Sequence, residues 1–275
     1  KSAGRGGGSW RLEGRLNMQQ IVVHAGFHKT GTTTIQSFLM ENGKHLWPHM
    51  ALVMPARISE VTKFATMHSV IGGPISRDEF HFRMVEFLRS LDIGKKRHLC
   101  ISAEDLAGLL PGRSGKETYA GCPALMATTR DALREVFGPD LPITFYLSTR
   151  DPDRWLRSSY WQNLRSSPLK MDPATFAETY PDAANFDPII AQTREALGDT
   201  PLLTTAMEDT LSMRFGPATP IIGLFALPAE TLDALTMPIS RNASPSPEII
   251  AEVLALNRSG LDRDTLDARK KALLG

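Results

Sequence analysis

IVVHAGFHKTGTTTIQSFL, residues 21–39, decides the fold. Ile21, Val22 and Val23 make a short β-branched run of the kind carried by a strand buried on both faces. The segment from Gly26 to Gly31 breaks that run. From Thr32 the pattern turns helical, with Ile35, Phe38 and Leu39 recurring at the spacing of one helix face. A strand that passes through a glycine-bounded loop into a helix is an anion site, because the first helical turn has free N–H groups at the positive end of the helix dipole. Thr32, Thr33 and Thr34 add hydroxyl donors there.

The lysine sets the chemistry apart from an ordinary nucleotide hydrolase. In the G-x-x-x-x-G-K-[ST] loop, Gly26, Gly31 and Thr33 fall in register, but Thr32 stands where the lysine belongs. Lys29 lies three places earlier, inside the loop. A second element follows downstream. Residues 143–147, ITFYL, read as a strand and lead into Ser148-Thr149-Arg150-Asp151-Pro152, then a helical run with Trp155, Ser158, Ser159, Tyr160 and Trp161. A guanidinium grips phosphate through a planar fork and a helix hydroxyl adds an uncharged donor, so Arg150 and Ser158 suit a terminal monophosphate.

On these residues the chain resembles the sulfotransferases that use 3′-phosphoadenosine 5′-phosphosulfate. His28-Lys29-Thr30-Gly31-Thr32-Thr33 is similar to their 5′-phosphosulfate loop in its bacterial H-K-T-G-T-T form. Arg150, Asp151, Pro152, Ser158 and Tyr160 match the spacing of their 3′-phosphate element, except that Trp155 stands where many relatives carry a second arginine, with Arg154 and Arg157 beside it. The resemblance implies a donor site made by His28, Lys29, Thr30, Gly31, Thr32, Thr33, Thr34, Arg150 and Ser158. It adds Arg241, because Arg241-Asn242-Ala243-Ser244 looks like the corresponding bacterial segment. It also implies a base just after a core strand. Glu104, in Ser102-Ala103-Glu104, occupies that position, with Lys29 stabilising the leaving phosphate. Glu208, in a segment resembling the family's Y-E-D-L, is expected to hold its loop.

The expected reaction is metal-independent in-line transfer of a sulfuryl group to a hydroxyl or amine of a small molecule or glycan, a carbohydrate being one such acceptor. The product is 3′-phosphoadenosine 5′-phosphate. Two alternatives stay open: a P-loop nucleotide or small-molecule kinase, and a non-catalytic nucleotide-binding protein of the same fold. A kinase wants a lysine beside Thr33 and an acidic magnesium ligand after a strand, and neither is in place.

The rest of the chain bounds these readings. With 275 residues it can bury a large core, and Lys+Arg 31 against Asp+Glu 30 gives a net charge of +1, which points away from nucleic acid. Cys100 and Cys122 make neither a disulfide framework nor a metal pattern. His24 and His28 straddle a strand and its loop, so they do not form a zinc pair. No apolar run reaches membrane length, and a cytoplasmic home is expected. Residues 1–17 are glycine-rich, basic and aperiodic, and read as a disordered leader or an appended segment, with one catalytic domain over 18–275.

Further strands are expected near 52–55, at 98–102 after a basic turn at 95–97, and at 202–206. Helices are expected at 80–91, 125–137, 189–197, 221–227, 232–235 and from Pro247, with Ser246 as cap. The segments 66–74 and 111–123 read as loops near the acceptor, His68 being the histidine to test, and 168–188 reads as irregular and specificity-bearing. Strands alternating with helices specify an α/β, P-loop-like three-layer sandwich with a mainly parallel central sheet.

Overall fold

In the computed structural model, residues 19–93, 98–238 and 245–275 are described. The expected leader at 1–17, the basic turn at 95–97 and Arg241 lie outside them. The fold is α/β, with five strands: β1 (Ile21–His24), β2 (Met50–Val53), β3 (His98–Ser102), β4 (Ile143–Thr149) and β5 (Leu202–Ala206). All neighbours pair in parallel, in the order β2-β3-β1-β4-β5. β1 is therefore central, with Val22 opposite Cys100 on one side and Thr144 on the other. The loop that follows β1 opens at the carboxyl edge of the sheet, where ligands gather in such folds.

Alternation along the strands makes the three layers. Ile21 and Val23 face one core with Leu99, Ile101, Phe145 and Leu147. That face is covered by α2 (Pro55–Ile71), α3 (Gly73–Arg89), α4 (Cys122–Phe137) and α7 (Asp187–Leu197). Val22, Cys100 and Tyr146 point the other way, against Ile35, Phe38 and Leu39 of α1 (Thr32–Glu41) and the turns at Phe215, Ile221, Ile222 and Phe225. A third, smaller cluster joins α5 (Pro152–Ser166), α6 (Pro173–Thr179) and α8 (Pro247–Arg258) through Tyr160, Leu164, Phe176 and Val253, with Leu273 of the terminal helix α9 (Arg263–Leu274) packed against it.

Several boundaries differ from the sequence expectation. Residues 66–74 are not a loop: α2 runs to Ile71, the chain turns at Gly72 and Gly73 with φ of 69° and 82°, and α3 begins at once. The buried face of α2 is Ile58, Val61, Thr62, Ala65 and His68, helical in spacing but too small and polar to read as an apolar stripe. His68 is thus a packed helix residue, bonded through Nδ1 to Ser76 Oγ at 2.8 Å, rather than a loop residue facing substrate. Within 168–188 lies α6, capped by Asp172, whose carboxylate accepts from Thr175 N at 2.9 Å. Helix 221–227 is shorter than expected, a turn at Thr219–Ile222. The expected cap of α8 is present, Ser246 Oγ accepting from Ile249 N at 3.4 Å.

No described helix is long and apolar enough to cross a membrane. Cys100 and Cys122 are both free and fully buried, and burial pushes each thiol up to about 12. The thiolate is the reactive form. The folded protein is therefore expected to leave both thiols unlabelled by a chromogenic disulfide reagent at pH 8, and to release two equivalents in denaturant; prompt labelling of either thiol without denaturant would contradict this burial.

Candidate active site

The loop after β1 is built to a single shape. A Cβ on Gly26 would sit 2.5 Å from Ser148 Oγ and 2.7 Å from His24 Nε2, so only glycine passes between β1 and β4 at that point. Thr30 is fully buried and its hydroxyl donates to Phe27 O at 2.5 Å and meets Ser148 Oγ at 2.6 Å. That hydroxyl is taken up inside the loop, which leaves the backbone of Thr30, not its side chain, for an anion. Gly31 enters α1 at φ 96°, and the first α1 hydrogen bond runs from Ile35 N to Gly31 O at 3.1 Å. The N–H groups of Thr32, Thr33 and Thr34 therefore precede the helical ladder and are the free donors of the first turn. The Thr32 side chain is buried and that of Thr33 exposed.

Lys29 adopts φ 66°, a left-handed conformation that costs a non-glycine residue on the order of 1–2 kcal/mol. Two side chains from the β4–α5 segment hold it there. Trp155 Nε1 donates to His28 O at 2.7 Å, and Arg150 Nη1 donates to Lys29 O at 2.9 Å. Asp151 caps α5, its carboxylate accepting from Arg154 N at 3.0 Å, and Pro152 opens the helix. Glu208 Oε2 accepts from Asp151 N at 3.2 Å, so it braces the β4–α5 loop, where the sequence reading has it hold its own. The two motifs picked out in the sequence thus meet, 121 residues apart along the chain.

Arg150 keeps something in reserve. Its Nε is buried without a hydrogen-bond partner, as is Ser159 Oγ on α5. A buried polar atom left unpaired costs on the order of 1–3 kcal/mol, so an acceptor brought to Arg150 gains that much. Ser158 lies on the same stripe of α5 as Trp155 and Gln162, both of which touch the loop. Tyr160 faces away, donating to Met171 O at 3.1 Å in the third cluster.

The Lys29 Nζ lies 3.5 Å from Gln162 Oε1. Burial, and then the positive charges of Arg165 and Arg150, push its pKa below the ordinary lysine value, while Glu104 pulls it up. Glu104 opens the turn Glu104–Ala107 after β3, and its Oε2 accepts from Gln36 Nε2 of α1 at 2.6 Å. The carboxylate, the ammonium and the open helix turn therefore share one place.

His28 is held through both ring nitrogens. Its Nδ1 bonds Tyr119 OH at 3.1 Å, its Nε2 bonds Asp105 Oδ1 at 2.9 Å, and its backbone N–H donates to the same phenol oxygen at 3.1 Å. The imidazole is a strut between the loop and the β3 edge. Sequence reasoning missed Trp155, Gln162 and Arg165 as parts of this site. The spacing of 155, 158, 162 and 165 along one face of α5 was the available signal. Among the described residues no group of three or more His, Cys, Asp or Glu is placed to hold a metal ion. Comparison of the chain with protein-family models, with curated proteins and with solved structures finds no match.

Proposed function

We propose that the chain is a sulfotransferase that takes the sulfuryl group of 3′-phosphoadenosine 5′-phosphosulfate to a hydroxyl or amine of a small molecule or glycan. The observation that carries the reading is the bond from Arg150 to the carbonyl of Lys29, which joins the two elements that the family resemblance pairs. It places a guanidinium with an unpartnered Nε beside a loop whose lysine is inside the turn, whereas the position of a nucleotide hydrolase lysine is held by the buried Thr32.

The residues fit such a donor. Lys29, the backbone of Thr30 and Gly31 and the first-turn amides of Thr32, Thr33 and Thr34 would hold the 5′ end, and Arg150 and Ser158 the 3′-phosphate. The donor supplies an activated sulfuryl group on a phosphate leaving group. Lys29 offers positive charge where the leaving oxygen becomes negative, and does so from a partly buried position where that charge counts for more than in water. Glu104 is the base, within electrostatic reach of Lys29 and held by Gln36 so that its second oxygen, Oε1, remains to take the acceptor proton.

The test is calorimetric titration with 3′-phosphoadenosine 5′-phosphate, without and with magnesium, on the parent and on Arg150→Ala. Micromolar or tighter metal-independent binding, weakened at least tenfold in Arg150→Ala, is expected. A protein that ignored this ligand but bound ATP with magnesium would instead be a kinase.

A further inference from the structure

Two arginines of the site are left unused by the donor. Arg113 comes from the glycine-rich segment after β3. Its Nε donates to Asn163 Oδ1 at 3.1 Å and its Nη2 to Ser166 Oγ at 2.5 Å, while Asn163 Nδ2 donates to Pro111 O at 3.0 Å and ties that segment to α5. Arg165, between Asn163 and Ser166 on α5, donates from Nη2 and Nε to Gln162 Oε1 at 2.6 and 3.2 Å. Lys29 Nζ approaches the same oxygen. Three cations thus converge on uncharged acceptors.

Carboxylates are near but engaged elsewhere. Glu104 accepts from Gln36 and Asp105 from His28. No ion pair among the described residues includes Lys29, Arg113 or Arg165, whereas Arg83, Arg89, Arg130 and Arg134 each pair with a carboxylate. Burial and then Arg165 lower the pKa of Lys29, and burial lowers that of Arg113, where Asp105 attracts and Arg165 repels, so Arg165 is the neighbour that repels both. A cluster held at that cost is relieved by an incoming anion.

Position along α5 separates this cluster from the donor end. Arg150 stands just before the helix and Arg165 in its last turn, roughly 20 Å apart along the axis by the rise per residue. Lys29 lies between them, bonded toward Arg150 through its carbonyl and toward Gln162 through its ammonium. Asp105, next to the candidate base Glu104, attracts Arg113, so Arg113 lies toward the base rather than toward Arg150.

We propose that Arg113 and Arg165 form an anion subsite for the acceptor, which is therefore an acidic molecule carrying a carboxylate, sulfate or phosphate close to the hydroxyl or amine that is modified. The word acceptor rests on the sulfotransferase reading; the anion subsite does not. Arg113 and Arg165 hold the acidic group, and Lys29 and Glu104 face the reacting one.

The experiment titrates inorganic sulfate into protein saturated with 3′-phosphoadenosine 5′-phosphate, for the parent, Arg113→Lys and the double variant Arg113→Gln/Arg165→Gln. Sulfate is expected to bind the saturated parent, at least tenfold more weakly in the double variant, with nucleotide affinity kept within twofold. Arg113→Lys, which keeps the charge but not the fork to Asn163 and Ser166, is expected to stay within fivefold of the parent. Absence of sulfate binding to the saturated parent overturns the proposal. So does a nucleotide affinity that falls together with sulfate affinity, since the arginines then belong to the donor site. Arg113→Lys failing as badly as the double variant would show that the segment's position, not its charge, had been lost. Should the nucleotide not bind at all, the donor reading fails separately. Sulfate is then titrated into Lys29→Ala/Arg150→Ala protein, where binding removed by the Arg113 and Arg165 changes supports the subsite and no binding overturns it.

Discussion

Replacement of Lys29 by alanine is expected to weaken binding of 3′-phosphoadenosine 5′-phosphate by about 10- to 150-fold, the worth of one hydrogen bond to a charged group. Loss of sulfuryl transfer is expected to be larger, on the order of 100- to 1,000-fold at saturating donor, as when a single donor to a developing oxyanion is removed. On the proposed sulfotransferase reading the difference would arise because the ammonium meets more negative charge as the leaving oxygen departs than in the bound donor. Folding should change little, since Lys29 is only partly buried, and alanine in place of its left-handed residue retains the carbonyl that Arg150 holds. Equal losses in binding and turnover would show a purely electrostatic anchor. A loss below threefold in both would remove Lys29 from the site.

The same residue gives a pH dependence with a definite sign. Burial, Arg165 and Arg150 lower its pKa, so it sheds its proton at a lower pH than an ordinary lysine. Anion affinity is present while Lys29 is protonated and declines as pH rises through that lowered value. Binding below it should be level, and binding above it should take up a proton, measurable as a buffer-dependent calorimetric heat. In Arg165→Gln the decline moves to higher pH, because one repelling charge is gone.

His24 should dominate the response to acid. It is fully buried at the end of β1, bonded through Nδ1 to Ser102 Oγ at 2.8 Å, and burial lowers its pKa from 6.5 to about 3. Above pH 6.5 the ring is neutral in both the folded and the unfolded chain and costs nothing. Below 6.5 the unfolded chain takes a proton that the folded chain refuses until about pH 3, so stability is lost as pH falls through that window. At about 1.4 kcal/mol per pH unit, the full loss is on the order of 5 kcal/mol, a large share of a typical domain's stability. His68 and His98, their pKa values also lowered by burial, act in the same direction. Denaturant unfolding at pH 7, 6, 5 and 4 should show a steep fall. His24→Asn, which keeps a polar atom near the Ser102 hydroxyl but cannot titrate, should start less stable at pH 7 and show a much flatter slope. Parallel slopes in the two proteins would rule out His24 as the source.

What was legible in the sequence follows from the range of the forces involved. The strand, glycine loop and helix at 21–39 are local: β-branched residues, a turn that only glycine can make and helical periodicity are all written within a few residues of one another. The same holds for β3, β4 and β5, for Asp151-Pro152 opening α5, and for Ser246 capping α8. Local reading failed where the signal is not hydropathy. α2 buries Thr62, Ala65 and His68, so its inward face carries no apolar stripe, and the glycine pair that marks its end reads in sequence as a loop.

By itself, then, the sequence determined an α/β chain with a glycine-bounded loop between its first strand and helix, and the residue types available at it. Only the tertiary structure decided the strand order β2-β3-β1-β4-β5, because parallel neighbours are chosen by long crossovers and by which faces the helices cover. It also decided the site. Trp155 and Arg150 pin the peptides on either side of the strained Lys29, His28 is held by Tyr119 and Asp105, and Arg113 reaches α5 from the segment after β3. Each of these contacts spans the chain or crosses between elements. Hydrogen bonds and charge repulsion act through space over a few ångströms, so residues remote in sequence become one site only when the sheet sets them side by side.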